Sequence, residues 1–273
     1  MIVMKAIGGL CNRLRTIDNL KNLSSIIGTD LKVIWESNNE LNSPYTKLFR
    51  FNNDFILKET GYYSKNNPFR LLNGLITKFK LTNAVSLFKY ENVFFGDDIQ
   101  KKLAEGFDFK TLNPLKNHFF FYWGKIIPVE QPYKNLQPVD SILEIINTVT
   151  KDFNSKTIGV HIRRTDNENA IKNSPVQLFV EKMSELYNKD HETNFYLATD
   201  DPETENYIKS LYPGRVKTYQ KELARSSETG IRDAVVDLWA LSKTSTVLGS
   251  HWSSFSHTAC DIGKIKEITI KTQ

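Results

Sequence analysis

The chain is predicted to be an α/β protein built from doubly wound parallel sheets. Apolar strands alternate with amphipathic helical segments through the carboxyl-terminal half, and the first residues read as strand, glycine turn, helix and strand. With 273 residues, of which 40% are hydrophobic, the chain can bury the cores of two modest domains.

The amino-terminal half begins with a predicted strand over residues 2–7. Apolar residues at helical spacing then run from Leu14 to Ile27, where Gly28 ends the helix. Residues 44–90 are interpreted as short helices and loops. Further buried strands are predicted over 31–35, 92–95 and 119–123.

A domain boundary is predicted where prolines cluster among polar residues. Pro128, Pro132 and Pro138 interrupt regular structure. We therefore expect an amino-terminal Rossmann-like domain over 1–135 and a carboxyl-terminal one over 136–273, whose tail can pack back on the first. A helix is predicted over 139–149.

The second half shows the clearest alternation of strands and helices. Ser174 and Pro175 are interpreted as the cap and first-turn proline of its first helix. The predicted strands cover 157–162, 194–198, 216–219, 246–248 and 265–270. The predicted helices cover 176–187, 203–211, 231–242 and 254–261.

The most informative motif is His-x-Arg-Arg-x-Asp, which follows the strand over 157–162. Ligands of open α/β sheets bind at the carboxyl ends of the strands, so Arg163 and Arg164 are predicted to meet an anion such as a diphosphate. Alternation along a strand separates His161 and Arg163 from Arg164. One arginine can therefore serve the ligand while Asp166 or another carboxylate holds the other. A purely structural Arg–Asp network is the alternative.

A glycine-rich turn links the first strand to the first helix. Gly8 and Gly9 allow a tight turn and close approach of a ligand, with Asn12 offering an amide and Arg13 or Arg15 a cation. The motif matches neither Gly-x-Gly-x-x-Gly nor a P-loop. Alternatively, these residues only form a tight strand-to-helix turn and bind no ligand.

Two later strand ends carry further polar groups. Asp200 or Asp201 can cap the helix that follows the strand over 194–198. Asp233 and Asp237 share one face of a helix. The segment from Gly249 to Phe255 places serines at a helix start, where hydroxyls, N–H groups and partial positive charge favour an anion.

Composition narrows the function further. Lys plus Arg total 36 and Asp plus Glu total 31, a net charge of +5, which suits an anionic substrate and does not indicate nucleic acid. The chain has no strict Asp-x-Asp, its histidines lack metal-ligand spacing, and Gly-x-Ser-x-Gly is absent. We therefore expect no metal and no other cofactor, and a Ser–His–Asp hydrolase is disfavoured.

The ordered set of motifs resembles the GDP-fucose-dependent fucosyltransferase superfamily. That superfamily includes the bacterial nodulation α1,6-fucosyltransferase, the core α1,6-fucosyltransferase and the protein O-fucosyltransferases. The resemblance is firm over 157–260, suggestive over 2–20 and silent between. It implies a GT-B fold, in which two Rossmann-like domains face each other across a cleft.

The resemblance also implies an activity. The carboxyl-terminal half would bind GDP-β-L-fucose, the amino-terminal half would bind a glycan or other hydroxyl acceptor, and transfer would invert the anomeric carbon without a metal. Arg163 would grip the β-phosphate and stabilise charge on the departing GDP, with Arg164 in support.

The resemblance also implies which residues contact the guanine base, the diphosphate and the acceptor. His161 and Asp237 would contact guanine, whose adjacent N–H donors suit a carboxylate. Asn12 would lie near the fucose and the acceptor, in the loop that also holds Gly9 and Arg13. The diphosphate would meet Ser253, Ser254 and Phe255.

Two departures from the family pattern affect these roles. The segment from Ser250 to Trp252 is one residue longer than usual, which leaves the register of the serines open. No glutamate stands where some relatives have a general base, so Asp166, Glu168 and Asp18 are candidates. A mechanism without a base, through an oxocarbenium-like ion pair, also fits the family.

Other functions stay open at this point. A GT-B transferase could use GDP-mannose or a dTDP- or UDP-deoxysugar, and a non-catalytic module could bind a nucleotide or glycan. No apolar run reaches membrane-spanning length and Cys11 and Cys260 show no disulfide framework, so we expect a cytoplasmic protein, with peripheral membrane association left open. The sequence does not indicate an oligomeric state.

Overall fold

The computed structural model describes residues 1–61, 90–165, 168–224 and 226–272. The chain divides into two compact units, Met1–Gln137 with Arg225–Ile231 and Pro138–Ala224 with Arg232–Gln273. The main division thus falls close to the boundary predicted after residue 135, while a short later segment groups with the first unit.

Unit 1 holds a five-stranded parallel sheet in the order β3-β2-β1-β5-β4. Helix α1, Leu10–Ile27, lies between β1 and β2, and α2, Gly96–Ala104, follows β4. Short 3-10 turns occupy Tyr45–Lys47 and Phe109–Thr111. The strands are β1 Ile2–Ala6, β2 Leu31–Glu36, β3 Ile56–Thr60, β4 Asn92–Phe95 and β5 His118–Phe121.

The first strand–helix–strand segment follows its sequence pattern closely. Leu14, Ile17 and Leu20 are buried on one side of α1, as their spacing predicts. Gly28 adopts φ 71° and its N–H bonds to the carbonyl of Ser24, which ends the helix.

Strand β3 and helix α2 were not predicted. Most β3 side chains are exposed at the edge of the sheet, so their apolar pattern is weak. Residues 44–90 were interpreted as short helices and loops; the part over 62–89 lies outside the described residues.

Unit 2 holds a second five-stranded parallel sheet, in the order β10-β9-β6-β7-β8. All residues of the central strand β6 are buried, as expected for a strand covered on both faces. The strands are β6 Thr157–Ile162, β7 Asn194–Thr199, β8 Val216–Lys217, β9 Thr246–Ser250 and β10 Lys266–Ile270. The helices are α3 Asp140–Thr150, α4 Glu168–Asn173, α5 Val176–Lys189, α6 Pro202–Leu211, α7 Glu228–Ser242 and α8 Ser254–Gly263.

The core of unit 2 forms where α5 and α6 pack on the sheet. Phe179 and Met183 of α5 lie against Val160, Leu197 and neighbouring buried residues. The short helix α4 was not predicted. The carboxyl-terminal strand β10 pairs with β9 within this sheet.

None of the helices in the described part of the chain has the length and apolar character needed to cross a bilayer. Cys11 and Cys260 are both buried and unpaired with each other.

Candidate nucleotide-sugar site

The strand order of unit 2 places a topological switch point between β6 and β9. From β6 the chain continues outward through β7 and β8, and then returns to the opposite side of β6 at β9. Loops from the two strands diverge at such a switch point, which is where open α/β sheets bind ligands. The segments beginning at Arg163 and at His251 leave the sheet on either side of this point.

A serine hydroxyl bridges the two strands at the switch point. Ser250 Oγ accepts a hydrogen bond from the main-chain N–H of Arg163 at 3.1 Å and donates to the carbonyl of His161 at 3.2 Å. These contacts hold the main chain of Arg163 where β6 ends. Arg163 itself is half-buried.

The second arginine of the motif supports the protein itself. Arg164 Nη1 donates to the carbonyls of Ile171 and Ser174, both at 3.4 Å. Asp200 accepts the main-chain N–H of Arg164 at 2.7 Å and the hydroxyl of Thr165 at 2.7 Å. The carboxylate that holds this loop is therefore Asp200, while the predicted alternative, Asp166, lies outside the described residues.

The adjacent aspartates after β7 have separate tasks. Asp201 caps α6 by accepting the N–H of Thr204 at 3.0 Å. Of the two residues considered for that cap, the structure selects Asp201 and leaves Asp200 to bind the loop after β6.

His161 is a buried, neutral imidazole. Burial lowers the pKa of His161 to about 4, with Arg163 and Lys221 acting in the same direction. Its ring stacks on Phe255 with centroids 4.8 Å apart. Within the described residues Nδ1 has no hydrogen-bond partner, so His161 retains an unused polar atom beside the crevice.

Asp237 lies on α7 in a buried polar cluster that also contains Tyr196 and Lys221. The Tyr196 hydroxyl donates to one carboxylate oxygen at 2.5 Å, and the Lys221 ammonium binds the other. Burial raises the pKa of Asp237, and the Lys221 charge opposes that rise. Both carboxylate oxygens are engaged, one by Tyr196 and one by Lys221.

Lys221 was missed by the sequence analysis. Asp233 accepts the hydroxyl of Tyr219 at 3.1 Å and the N–H of Glu222 at 2.9 Å, so the two aspartates of α7 hold the segment 219–222. Their spacing of one helical turn was the available signal; it does not identify the segment that packs over them.

Helix α8 begins beside His161. Ser253 is its N-cap, and the Ser253 hydroxyl accepts the N–H of Phe255 at 3.3 Å. Trp252, just before it, adopts φ 58° and is 67% exposed. Ser253, Ser254 and Phe255 thus start a helix at the carboxyl end of β9, as predicted.

Ser174 does not cap α5. Its hydroxyl donates to the carbonyl of Ile270 at 2.6 Å and accepts the N–H of His251 at 2.8 Å, while Pro175 is the N-cap residue without a side-chain bond. The prediction of a Ser174 cap was wrong because the serine bonds across the sheet to β10.

In unit 1 the glycine turn holds a buried arginine. Gly8 adopts φ 76°, and Gly9 is the N-cap residue of α1. Arg13 is 0% exposed and donates to the carbonyls of Gly8 at 2.7 Å and Glu36 at 2.6 Å. In this arrangement Arg13 braces the turn, and binding a ligand would require these bonds to break. Asn12 is half-buried one residue earlier.

Two of the predicted general-base candidates, Glu168 and Asp18, lie on helices α4 and α1. Glu168 is exposed at the first position of α4, and Asp18 accepts the N–H of Tyr133 at 3.0 Å. Among the described residues no group of three or more His, Cys, Asp or Glu side chains could hold a metal ion.

No protein-family model matches the chain, and no curated protein matches its sequence. Solved structures do match. NodZ alpha-1,6-fucosyltransferase soaked with GDP-fucose aligns with a TM-score of 0.63 and 16% identity over 96% of this chain and 92% of that one. POFUT1 in complex with GDP gives 0.56 and 11% over 98% of both chains.

A third match is a variant of Arabidopsis thaliana FUT1 in complex with GDP. It has a TM-score of 0.60 and 13% identity over 98% of this chain and 70% of that one. The predicted α/β GT-B fold, shared with fucosyltransferases, is confirmed.

Proposed function

We propose that this protein is an inverting glycosyltransferase that moves L-fucose from GDP-β-L-fucose to a hydroxyl acceptor and forms an α-L-fucoside. The observation that carries the proposal is the hydrogen bond from the Arg163 main-chain N–H to Ser250 Oγ, which holds the end of β6 at the switch point of unit 2. Helix α8 begins at Ser254, four residues after this serine. Crystals of structural neighbours contain GDP or GDP-fucose, which supports this choice of sugar donor.

Arg163 is assigned to the diphosphate. Negative charge grows on GDP as the glycosidic bond breaks, so a cation fixed nearby stabilises the transition state more than the ground state. Ser250 holds the Arg163 main chain at 3.1 Å, which limits reorganisation during the reaction. The amino terminus of α8, with Ser253 and Ser254, adds partial positive charge and hydrogen-bonding groups.

The proposed reaction needs no metal because these groups supply the positive charge that a divalent cation would otherwise bring to the diphosphate. Turnover should therefore persist in excess EDTA, and loss of activity that Mg²⁺ or Mn²⁺ restores would contradict this part of the proposal.

The guanine base is assigned to His161 and Asp237. The neutral imidazole of His161 offers its Nδ1, which has no partner among the described residues. Asp237 binds Lys221 and Tyr196, and its carboxylate oxygens keep lone pairs that two adjacent guanine donors can use.

Deprotonation of the acceptor is assigned to a carboxylate that reaches the hydroxyl directly or through one water. Asp166 and Glu168, just after the arginine motif, are the candidates in unit 2. Asp18 is already an acceptor for Tyr133. A dissociative reaction without a base is the alternative. It would be favoured if the Asp166→Asn and Glu168→Gln variants both turned over as fast as the wild-type protein.

The test is incubation with GDP-fucose and a glycan library, followed by mass spectrometry for a deoxyhexose increment and NMR of the new anomeric centre. An α-configured product supports inversion. Binding of GDP-fucose without transfer to any acceptor and without release of GDP would instead identify a non-catalytic module.

A second candidate is a GT-B transferase that uses another nucleotide sugar. The ion pair of Asp237 with Lys221 is the observation that favours it, because guanine would have to share this carboxylate with a buried ammonium. Thermal stabilisation by GDP, UDP and dTDP separates the candidates, since a ligand that binds only the folded state raises the melting temperature. Stabilisation by UDP or dTDP beyond that by GDP would overturn the choice of GDP-fucose.

A further inference from the structure

Unit 1 has a switch point of its own. The sheet order places β1 beside β5, with β2 and β3 continuing on one side and β4 on the other. The glycine turn after β1 and the residues after β5 therefore leave the sheet on either side of a second crevice. Polar and aromatic side chains on α1 and after β5 lie at this edge.

Arg15 is a cation at this edge that forms no hydrogen bond or ion pair with the described residues. It is half-buried, one helical turn after Asn12 on α1. Its Nε is buried and has no hydrogen-bond partner, and no carboxylate among the described residues forms an ion pair with it. Arg13, two residues earlier, has its guanidinium bound to main-chain carbonyls. A half-buried guanidinium without a partner carries a desolvation cost that a bound anion would offset.

Two aromatic residues, Tyr122 and Trp123, follow β5 where the chain meets α1. Thr16, next to Arg15 on α1, donates its hydroxyl proton to the carbonyl of Tyr122 at 3.4 Å, so this part of the helix lies against the segment after β5. Burial raises the pKa of Tyr122, and the positive charge of Arg15 lowers it. Trp123 is 45% exposed, and its ring lies 5.8 Å from that of Tyr122.

The aromatic surface is built by close packing against a glycine. A Cβ on Gly96 would lie 2.6 Å from Cη2 of Trp123, so only a glycine at the start of α2 lets the indole lie there. Gln100 also donates to the Tyr122 hydroxyl at 2.6 Å, which fixes the second ring. An exposed, well-supported indole is a flat apolar surface of the kind on which sugar rings stack.

We propose that Arg15 and Trp123 form the acceptor site and select a sugar that carries an oxyanion, with Trp123 stacking on the ring and Arg15 binding a carboxylate or phosphate. Naming the occupant an acceptor rests on the proposed function. The pairing of the Arg15 guanidinium with the exposed Trp123 indole is independent of the proposed function.

The experiment titrates three small probes into the protein: methyl glucuronide, glucose 6-phosphate and methyl glucoside. Binding is measured by saturation-transfer NMR and tryptophan fluorescence. Titrations are made with and without saturating GDP, so that binding at the diphosphate site of unit 2 is recognised by competition. We expect at least one anionic probe to bind about 10-fold or more tightly than the glucoside, with a preference that falls as salt rises. The anionic probe that binds more tightly shows whether Arg15 prefers a carboxylate or a phosphate.

The variants separate the two contacts. Arg15→Met should remove the preference for the anionic probe, Arg15→Lys should keep part of it, and Trp123→Ala should weaken all three probes. Lys101→Met is the matched control, since it removes one positive charge from a side chain that is 77% exposed on α2.

The proposal is overturned if the wild-type protein binds the glucoside as tightly as both anionic probes, or binds none of them. It is also overturned if Arg15→Met leaves the preference intact, or if GDP displaces the anionic probe. These measurements use no GDP-fucose, so failure of fucosyl transfer and failure of this site are observed separately.

Discussion

Two arginines near the switch points of the two sheets have opposite surroundings. Arg13, after β1, is completely buried and its guanidinium donates to two carbonyls and to Asn38 at 3.0 Å. Arg163, after β6, is half-buried, and its main-chain N–H binds Ser250. In the sequence, each of these arginines follows a predicted strand, so the two positions look alike. The comparison teaches that burial against main-chain carbonyls, which the residue type does not reveal, makes an arginine brace a turn.

The electrostatic consequences follow from burial. Burial lowers the pKa of Arg13 to about 10, against the opposing charges of Glu40 and Glu36. The group remains charged at neutral pH, and its bonds to carbonyls compensate for the lost water. Removing such a group leaves buried acceptors unsatisfied, whereas removing a cation from a crevice mainly affects the ligand.

The largest effect on stability is expected for Arg13→Met. The carbonyls of Gly8 and Glu36 would lose their donor in a buried site, so the free energy of unfolding should fall by about 3–5 kcal/mol. Urea denaturation measures this change. Arg15→Met is the matched control, with an expected change within about 1 kcal/mol. Equal losses in the two variants would remove the distinction between a bracing and an available arginine.

The largest effect on chemistry is expected for Arg163→Ala. Release of GDP from GDP-fucose should slow by about 10²–10³-fold, because the charge on the departing diphosphate loses its partner. The melting temperature should change little, since Ser250 binds the main chain. Arg215→Ala, before β8 at the opposite end of the sheet, serves as the control. Near-normal turnover in Arg163→Ala would refute the assigned role.

The third prediction concerns acid sensitivity at the crevice of unit 2. The folded-state pKa of His161 is about 4, below the unfolded value of about 6.5, so the unfolded state binds the proton first. Stability contributed by the neutral ring is complete above the unfolded pKa and falls as the pH drops towards 4, by up to about 1.4 kcal/mol per pH unit. The raised pKa of Asp237 acts in the opposite direction.

Urea denaturation at pH 7, 6 and 5 tests this prediction. The His161→Asn variant should lose less stability over that range than the wild-type protein. If the two proteins have the same pH dependence, the buried imidazole is not the group that titrates.

The smallest effect is expected at the start of α8. Ser253→Ala removes the cap on Phe255 N–H and should cost about 1 kcal/mol of stability. If the hydroxyl also serves the diphosphate, GDP affinity falls as well, as calorimetry would show. Ser254→Ala is the comparison, and it should leave stability within about 0.5 kcal/mol. A stability loss in Ser254→Ala as large as in Ser253→Ala would contradict the capping assignment.

Much of the fold was predictable, and two of the exceptions have a common cause. Strand β6 and helix α1 bury the residues that their periodicity selects, because local pattern and tertiary packing agree there. Strand β3 and the partner of Ser174 were not found. Both depend on a neighbour distant in sequence: β2 for the edge strand, and the carbonyl of Ile270 for the serine hydroxyl.

The candidate site was predictable as a location rather than as a set of contacts. His161 and Arg163 could be assigned to the end of a buried strand because side-chain type and strand pattern are local properties. The roles of Arg164 and Asp237 could not be resolved in this way. Arg164 meets carbonyls of a later segment, and Asp237 meets Lys221, whose position no spacing indicated.

The amino-acid sequence by itself determined the alternation of strands and helices, the parallel sheets that follow from it, and the residue types at the strand ends, because hydrophobic periodicity and glycine turns act over short distances. Only the tertiary structure decided which arginine is buried against carbonyls, which aspartate caps a helix and which holds a loop. Those outcomes depend on hydrogen-bond partners that the strand order brings together from distant parts of the chain.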